Sequence, residues 1–187
     1  MAIETIEQLR AVVGHPHSAV VEKKSTHLTP EAKDFIERSP FLVLSTASSE
    51  GKLTNSPKGD DPGFVFVEND KTLLIPDRQG NRLIDGHLNV LQTPSMGLIF
   101  FVPNTTEILR VNGKAELVSD SNLLEKFATR DRPAVLITKI LVEESFFHCG
   151  KALIRSQLWK PRFVASSRPD IIWKNFCQSQ WLRRSYG

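Results

Sequence analysis

The stretch from Phe41 to Arg82 limits what this chain can fold into more than any other part of it. It holds four short apolar runs, residues 41–47, 53–56, 64–68 and 72–76, rich in the β-branched and aromatic side chains that fit a pleated surface. Between them lie Ser48-Ser49-Glu50-Gly51, Gly59-Asp60-Asp61-Pro62-Gly63 and Asn69-Asp70-Lys71, groups of the residue types that reverse a chain. The pattern predicts four strands joined as an antiparallel meander. Its last strand delivers the chain into Asp77-Arg78-Gln79-Gly80-Asn81-Arg82, where basic and polar side chains crowd a glycine ahead of a new amphipathic run. Asn81 is a suitable helix N-cap. The unpaired N–H groups of a helix start, flanked by guanidinium forks, are suited to hold a phosphate. An anion site at the edge of a small barrel is one reading of this stretch, and an ordinary solvated loop is the other.

With 187 residues, 40% of them hydrophobic, the chain can bury one sizeable core. The organisation expected is one domain: an N-terminal helical arm over 1–40, a barrel over 41–149, and a basic helical segment over 150–187 that packs on the barrel. No apolar run approaches the roughly 20 residues that cross a bilayer, and the first fourteen residues carry acidic side chains early, so no membrane segment or secretory signal is expected. Cys149 and Cys177 do not make a disulfide scaffold, which suggests a reducing, cytoplasmic setting.

Taken in order, Ile3, Ile6, Leu9, Val12 and Val13 recur at helical spacing, and residues 14–24 read as a linker or arm. His15, His17 and His27 have no Cys or carboxylate cluster beside them, so no metal site is assigned. Thr29-Pro30-Glu31 opens a helix, with Thr29 as cap, Pro30 where its missing N–H is harmless, and Phe35 and Ile36 on the apolar face; Pro40 ends it. After Arg82, the residues Leu83, Ile84, Leu88 and Leu91 predict a helix stopped by Pro94. Residues 96–102 are almost wholly apolar and predict a strand buried on both faces. Residues 108–118 return as a long strand in which Asn112-Gly113 is either a bulge or a hairpin corner. Arg110 falls on the opposite face from Leu109 and Val111. A short helix over 120–129 and a polar connector over 130–133 lead to a last long strand over 134–147. Six or seven strands result, and an antiparallel barrel is the natural way to remove their edges. No GxGxxG, P-loop or CxxC motif occurs.

Charge is uneven along the chain. Residues 1–144 hold 16 Lys and Arg against 20 Asp and Glu, whereas residues 145–187 hold 8 against Asp170 alone. Such a segment suits an anionic ligand, an acidic protein surface or a nucleic acid backbone. A helix starting near Gly150 would set Lys151, Arg155 and Trp159 along one stripe, two cations and an indole able to embrace an anionic or planar ligand. His148 and Cys149 are adjacent at a strand end. They are either structural or a nucleophilic pair, which would need hydrogen-bond reach and a third, orienting group.

The ordered set SPFLVLST, SPKGDDPGFVFV, TLLIPDRQGNRLID, GLIFFVP, LRVNGKAEL and FHCGKALIRSQLW resembles the pyridoxamine 5'-phosphate oxidase-related flavoproteins, the FMN-binding split barrels. Within them it resembles the subgroup marked by SPRGD.PGF and PDR.GNRR.D. The resemblance spans roughly residues 28–161 and implies a mainly β fold, a split barrel of six or seven antiparallel strands with peripheral helices. It also implies FMN as cofactor and a homodimer with two cofactor sites at the subunit interface. Ser56 and Lys58 then fall beside the polar edge of the flavin ring, and Pro76, Asp77, Arg78, Asn81 and Arg82 along the ribityl chain and phosphate. Arg110, Lys151, Arg155 and Trp159 are further cofactor-binding candidates, the last three closing the site from the same or the other subunit. Lys58 and Leu83 stand where the subgroup commonly has arginine, and the R.H pattern with which true pyridoxamine phosphate oxidases grip their substrate finds no match.

The function implied is that of an FMN-dependent oxidoreductase exchanging two electrons through flavin N5, with a small-molecule substrate or reductant. No side chain is assigned as the catalytic acid or base. Two other readings stand beside it: a non-catalytic flavin carrier or sensor, and a polyanion or nucleic acid binder using the basic C-terminal segment, which steep salt dependence would reveal.

Overall fold

The computed structural model describes residues 2–128 and 134–160. Two hairpins, β1 (Phe41–Ala47) with β2 (Leu53–Gly59) and β3 (Phe66–Asn69) with β4 (Thr72–Asp77), form where the turn groups predict. They do not continue into one another. With β5 (Ser95–Phe101), β6 (Ile108–Val118) and β7 (Leu136–His148) they make one antiparallel sheet in the order β2-β1-β5-β6-β7-β4-β3. The expected four-strand meander is therefore two hairpins at opposite edges. The loop between them crosses rather than reverses: Asp60 N donates to the Pro40 carbonyl, and Val65, buried in the core, pins the far end. Curling of the seven strands gives a split β-barrel.

Alternation along the strands sends Leu42, Leu44, Leu73, Ile75, Leu98, Phe100, Leu109, Val111, Ile140 and Val142 into one core. Each such side chain contributes about 1.5–3 kcal/mol when fully buried. Helix α3 (Pro30–Arg38), capped by Thr29 as predicted, adds Ala32, Phe35 and Ile36 to this core.

Double burial falls on a different strand from the one expected. In β5 only Met96, Leu98 and Phe100 are buried, and the intervening Gly97, Ile99 and Phe101 are partly open, so the strand has one core face rather than two. It is β4 that is buried along its whole length. Leu73 and Ile75 face the barrel, while Leu74 joins Ala134 and Ile137 in a second cluster covered by Leu123, Leu124 and Phe127 at helix α5 (Ser121–Lys126).

The Asn112-Gly113 irregularity is a bulge, since the β6–β7 register shifts there. A Cβ at Gly113 would run into the Leu141 carbonyl, which explains the glycine.

Three helix assignments change. A helix α2 (Ser18–Glu22) lies within the stretch read as a linker, after α1 (Ile6–Val13), whose Thr5–Gln8 capping box closes its first turn. Helix α4 (Asp85–Gln92) starts after Ile84, so Asn81 is not its N-cap. Instead Asn81 Oδ1 accepts from Leu83 N at 2.9 Å, an Asx turn that satisfies the side chain locally, and Arg82 takes a left-handed φ of 60°. Helix α6 (Lys151–Ser156) begins after Gly150 as expected but is closed by Gln157 in the left-handed region, so Trp159 is not on a helical stripe with Lys151 and Arg155. Among the described residues, no helix is long and apolar enough to cross a membrane.

Candidate functional site

Strand β2 alternates between exposed and half-buried residues, and Thr54, Ser56 and Lys58 share the sheltered face. Their register partners are Thr46, Leu44 and Leu42, the inward residues of β1, so this polar row borders the core. Helix α4 lies over the row. Gly86 in its first turn stands where a Cβ would be 3.7 Å from both Ser56 Oγ and Thr46 Oγ1, and Asn89 donates to Thr46 Oγ1 at 3.1 Å and Thr54 Oγ1 at 3.2 Å.

The far side of the row is Asp77, the last residue of β4. Lys58 Nζ pairs with its Oδ1, while its Oδ2 takes His87 Nε2 at 2.8 Å and Thr138 Oγ1 at 3.3 Å. The Asp77 side chain is only 9% exposed, against 24% for Lys58 and 22% for His87. Burial alone would raise the Asp77 carboxyl. The hydrogen bonds from His87 and Lys58, with their charges, outweigh it and hold the group below the ordinary carboxylate value. His87 Nδ1 is buried and has no hydrogen-bond partner among the described residues.

Arg78 is the next residue along the chain. Its guanidinium donates to the Phe127 carbonyl, and its Nε lies 3.6 Å from Asp60 Oδ2, so it too spans from β4 to the loop that leaves β2. Asn81 and Arg82 are exposed beyond it, and Pro76 is buried before it. The structure thus brings Ser56, Lys58, Asp77 and Arg78 into one seam between the two hairpins, with Asn81 and Arg82 at its mouth. The helix start that was to complete an anion site there is displaced to Asp85.

The other candidates lie elsewhere. Arg110 is on the outer face of β6, with its guanidinium 5.1 Å from the centre of the Phe146 ring. Lys151 and Arg155 are exposed on α6, and Trp159 Nε1 donates to the Thr105 carbonyl at 2.8 Å. Among the described residues, no hydrogen bond or ion pair joins α6 to Ser56, Lys58 or Asp77. His148 and Cys149 are both exposed, and none joins them to each other.

Reading the sequence misses His87 entirely. Histidine among Leu83, Ile84 and Leu88 gives no signal of chemistry, because only the fold brings α4 over the end of β4. The seam's donor set, an ammonium, a serine hydroxyl and a guanidinium, together with the unsatisfied His87 Nδ1, suits a planar, hydrogen-bonding ligand that carries an anionic group.

Similar folds are found among solved structures. HupZ from Group A Streptococcus is 20% identical with a TM-score of 0.53, the match covering 64% of this chain and 92% of that one. A Lactobacillus delbrueckii protein named for pyridoxamine 5'-phosphate oxidase is 21% identical with a TM-score of 0.51, covering 66% and 98%. At such identities these likenesses establish the split barrel and nothing finer. No curated protein matches the chain. The sequence profile of pyridoxamine 5'-phosphate oxidase, however, matches residues 28–149, from the residue before the α3 cap through the end of β7 and including the whole seam. The chain therefore belongs to the pyridoxamine 5'-phosphate oxidase family.

Proposed function

We propose that this protein binds FMN in the seam between the hairpins and serves as a flavin-dependent oxidoreductase, working as a homodimer. The observation that carries the reading is the convergence of Ser56, Lys58, Asp77 and Arg78 within the stretch that matches the family. When bound, FMN supplies two-electron chemistry at its N5, and negative charge accumulates at the N1 and O2 edge on reduction. Lys58 is the group suited to that edge, and Asp77 fixes where its ammonium stands. Ser56 offers a hydroxyl on the same face of β2. Arg78, Asn81 and Arg82 supply charge and hydrogen bonds for the phosphate. The unpartnered Nδ1 of His87 is left to accept a hydrogen bond from a bound ring, while Asp77 holds the opposite nitrogen.

The dimer is supported by the outer face of β1 and β5. Phe41, 41% exposed, packs its ring against Phe101 at 6.1 Å between centroids, and Val43 and Ile99 are partly open beside them. A second copy over this face would give β5 the double burial that its composition calls for.

The test is reconstitution. Purified protein incubated with FMN and desalted is expected to keep the visible flavin spectrum and, on denaturation, to release a flavin carrying one phosphate. Loss of all flavin on desalting sinks the cofactor assignment. A retained flavin that neither reduced nicotinamide nor small electrophiles can turn over would make the protein a carrier instead.

A further inference from the structure

A second concavity lies away from the seam, between α3 and the loop joining β5 to β6. It is a cleft of about 500 Å³ lined by Pro30, Glu31, Asp34, Phe35 and Arg38 of α3, by Thr105 and Glu107 of the loop, and by Phe147 of β7. Its floor is aromatic, with Phe35 and Phe147 meeting edge to face at 5.4 Å. Its rim is acidic. Arg38 is matched by Asp34 at 2.8 Å, which leaves Glu31 and Glu107 with no cation among the described residues.

The described chain ends at the edge of this cleft. Gly150 packs so closely on the β5–β6 loop that a Cβ there would strike the Thr106 carbonyl, Leu153 is buried, and Trp159 Nε1 bonds to the carbonyl of Thr105, one of the lining residues. The remaining 161–187 sequence is basic and aromatic: Arg162, Arg168, Lys174, Arg183 and Arg184 against Asp170, with Phe163, Trp173, Phe176 and Trp181 among them. We propose that residues 161–187 dock on their own protomer in the cleft between α3 and the β5–β6 loop, aromatic side chains over Phe35 and Phe147 and cations against Glu31 and Glu107.

Three features favour this occupant over an outside partner. Each residue spans at most about 3.5 Å, so from Trp159 the first few residues already reach every part of the lining. Tethering at that distance raises the effective concentration of the segment far above that of any free partner. Charge is complementary in sign, and the aromatic side chains of the segment suit a cleft whose floor is itself aromatic.

The experiment is zero-length carbodiimide cross-linking of the full-length protein at low salt, read by peptide mass, with mixed isotopic labels to separate links within a chain from links between chains. Lys24–Glu144 and Lys33–Asp70, ion pairs in the structure, are the internal standards. A link within one chain from Lys174 to Glu31 or Glu107 is expected. It should be lost in the Glu31→Gln/Glu107→Gln variant and weakened at high salt. In a second variant, Glu31→Lys/Glu107→Lys should raise acrylamide quenching of Trp173 and Trp181, and adding Arg183→Glu/Arg184→Glu should reverse that rise. Appearance of the standard links without any from Lys174, together with quenching unchanged by the rim variants, overturns the proposal. So do Lys174 links formed only between chains, which would put the segment on a second copy.

Discussion

Lys58 and Asp77 lie 19 positions apart on strands from the two sides of the sheet, and their side chains pair across the split of the barrel. Within the sheet order, four strands separate β2 from β4, so this contact depends on the curl of the whole sheet rather than on any hairpin. Truncating one partner leaves the other poorly solvated. Asp77→Ala is expected to cost about 2–3 kcal/mol, less than the roughly 3–5 kcal/mol of a fully buried pair because Lys58 keeps some access to water. Adding Lys58→Met should recover part of the loss, giving a coupling above about 0.5 kcal/mol in a denaturant double-mutant cycle. Strict additivity would mean that the seam is not held by this pair.

Acid stability should report the same carboxylate. Its pKa is lowered in the folded state, so the stability it contributes is fully present above the unfolded value of about 3.9 and is lost as pH falls through the lower folded value. His87→Leu removes one of its donors, so the folded value rises toward the unfolded one and the contribution shrinks. The variant is expected to unfold at a higher pH than the parent in an acid titration followed by circular dichroism. An unchanged acid midpoint would show that His87 does not stabilise the charged Asp77.

At the mouth of the seam, Arg78 and Arg82 test the phosphate assignment in different ways. Arg82 is exposed, so Arg82→Ala should leave stability nearly unchanged. Arg78→Ala also removes the bond to the Phe127 carbonyl and should cost stability as well. If each contributes one charge-assisted hydrogen bond to the phosphate, worth about 1.5–3 kcal/mol, FMN affinity falls by about 10- to 150-fold while riboflavin affinity holds. Equal losses for both ligands, measured by fluorescence titration, would assign these arginines to the fold or the ring.

Most of the strands can be read from the sequence, because β-branched runs and turn residues are local signals. Even the Asn112-Gly113 bulge is among the alternatives those signals allow. Pairing cannot be read in the same way: Gly59-Asp60-Asp61-Pro62-Gly63 announces a turn but does not say that Val65 is drawn into the core on the far edge. Asn81 misleads for a related reason, since an Asx turn and a helix N-cap use the same side-chain oxygen, and only the φ/ψ angles of the next residues distinguish them. The candidate site divides the same way. Ser56, Lys58, Asp77 and Arg78 carry a motif and come together, whereas His87 enters from a helix with no motif. Lys151, Arg155 and Trp159 line up only on a helix longer than the one that forms.

The outer face of β1 and β5 yields the last prediction. Ile99 stands opposite Val43 on one side and Arg110 on the other, at the middle of a surface edged by Phe41 and Phe101. In a lone protomer Ile99 is half-buried, so a lysine there can still extend its ammonium past its neighbours into water and costs a modest amount, about 1 kcal/mol. Within a two-fold interface the same substitution buries a charge in each copy, and both are desolvated together near the axis. Ile99→Lys is therefore expected to leave the monomer folded by circular dichroism while converting a dimer, seen by sedimentation at micromolar concentration, into a monomer. If FMN is shared between copies, affinity should fall with it, although Ile99 lies on the face opposite the seam. A parent protein that sediments as a monomer and still holds FMN would refute both the dimer and the shared site; a monomeric variant that binds FMN as tightly as the dimeric parent would refute the shared site alone.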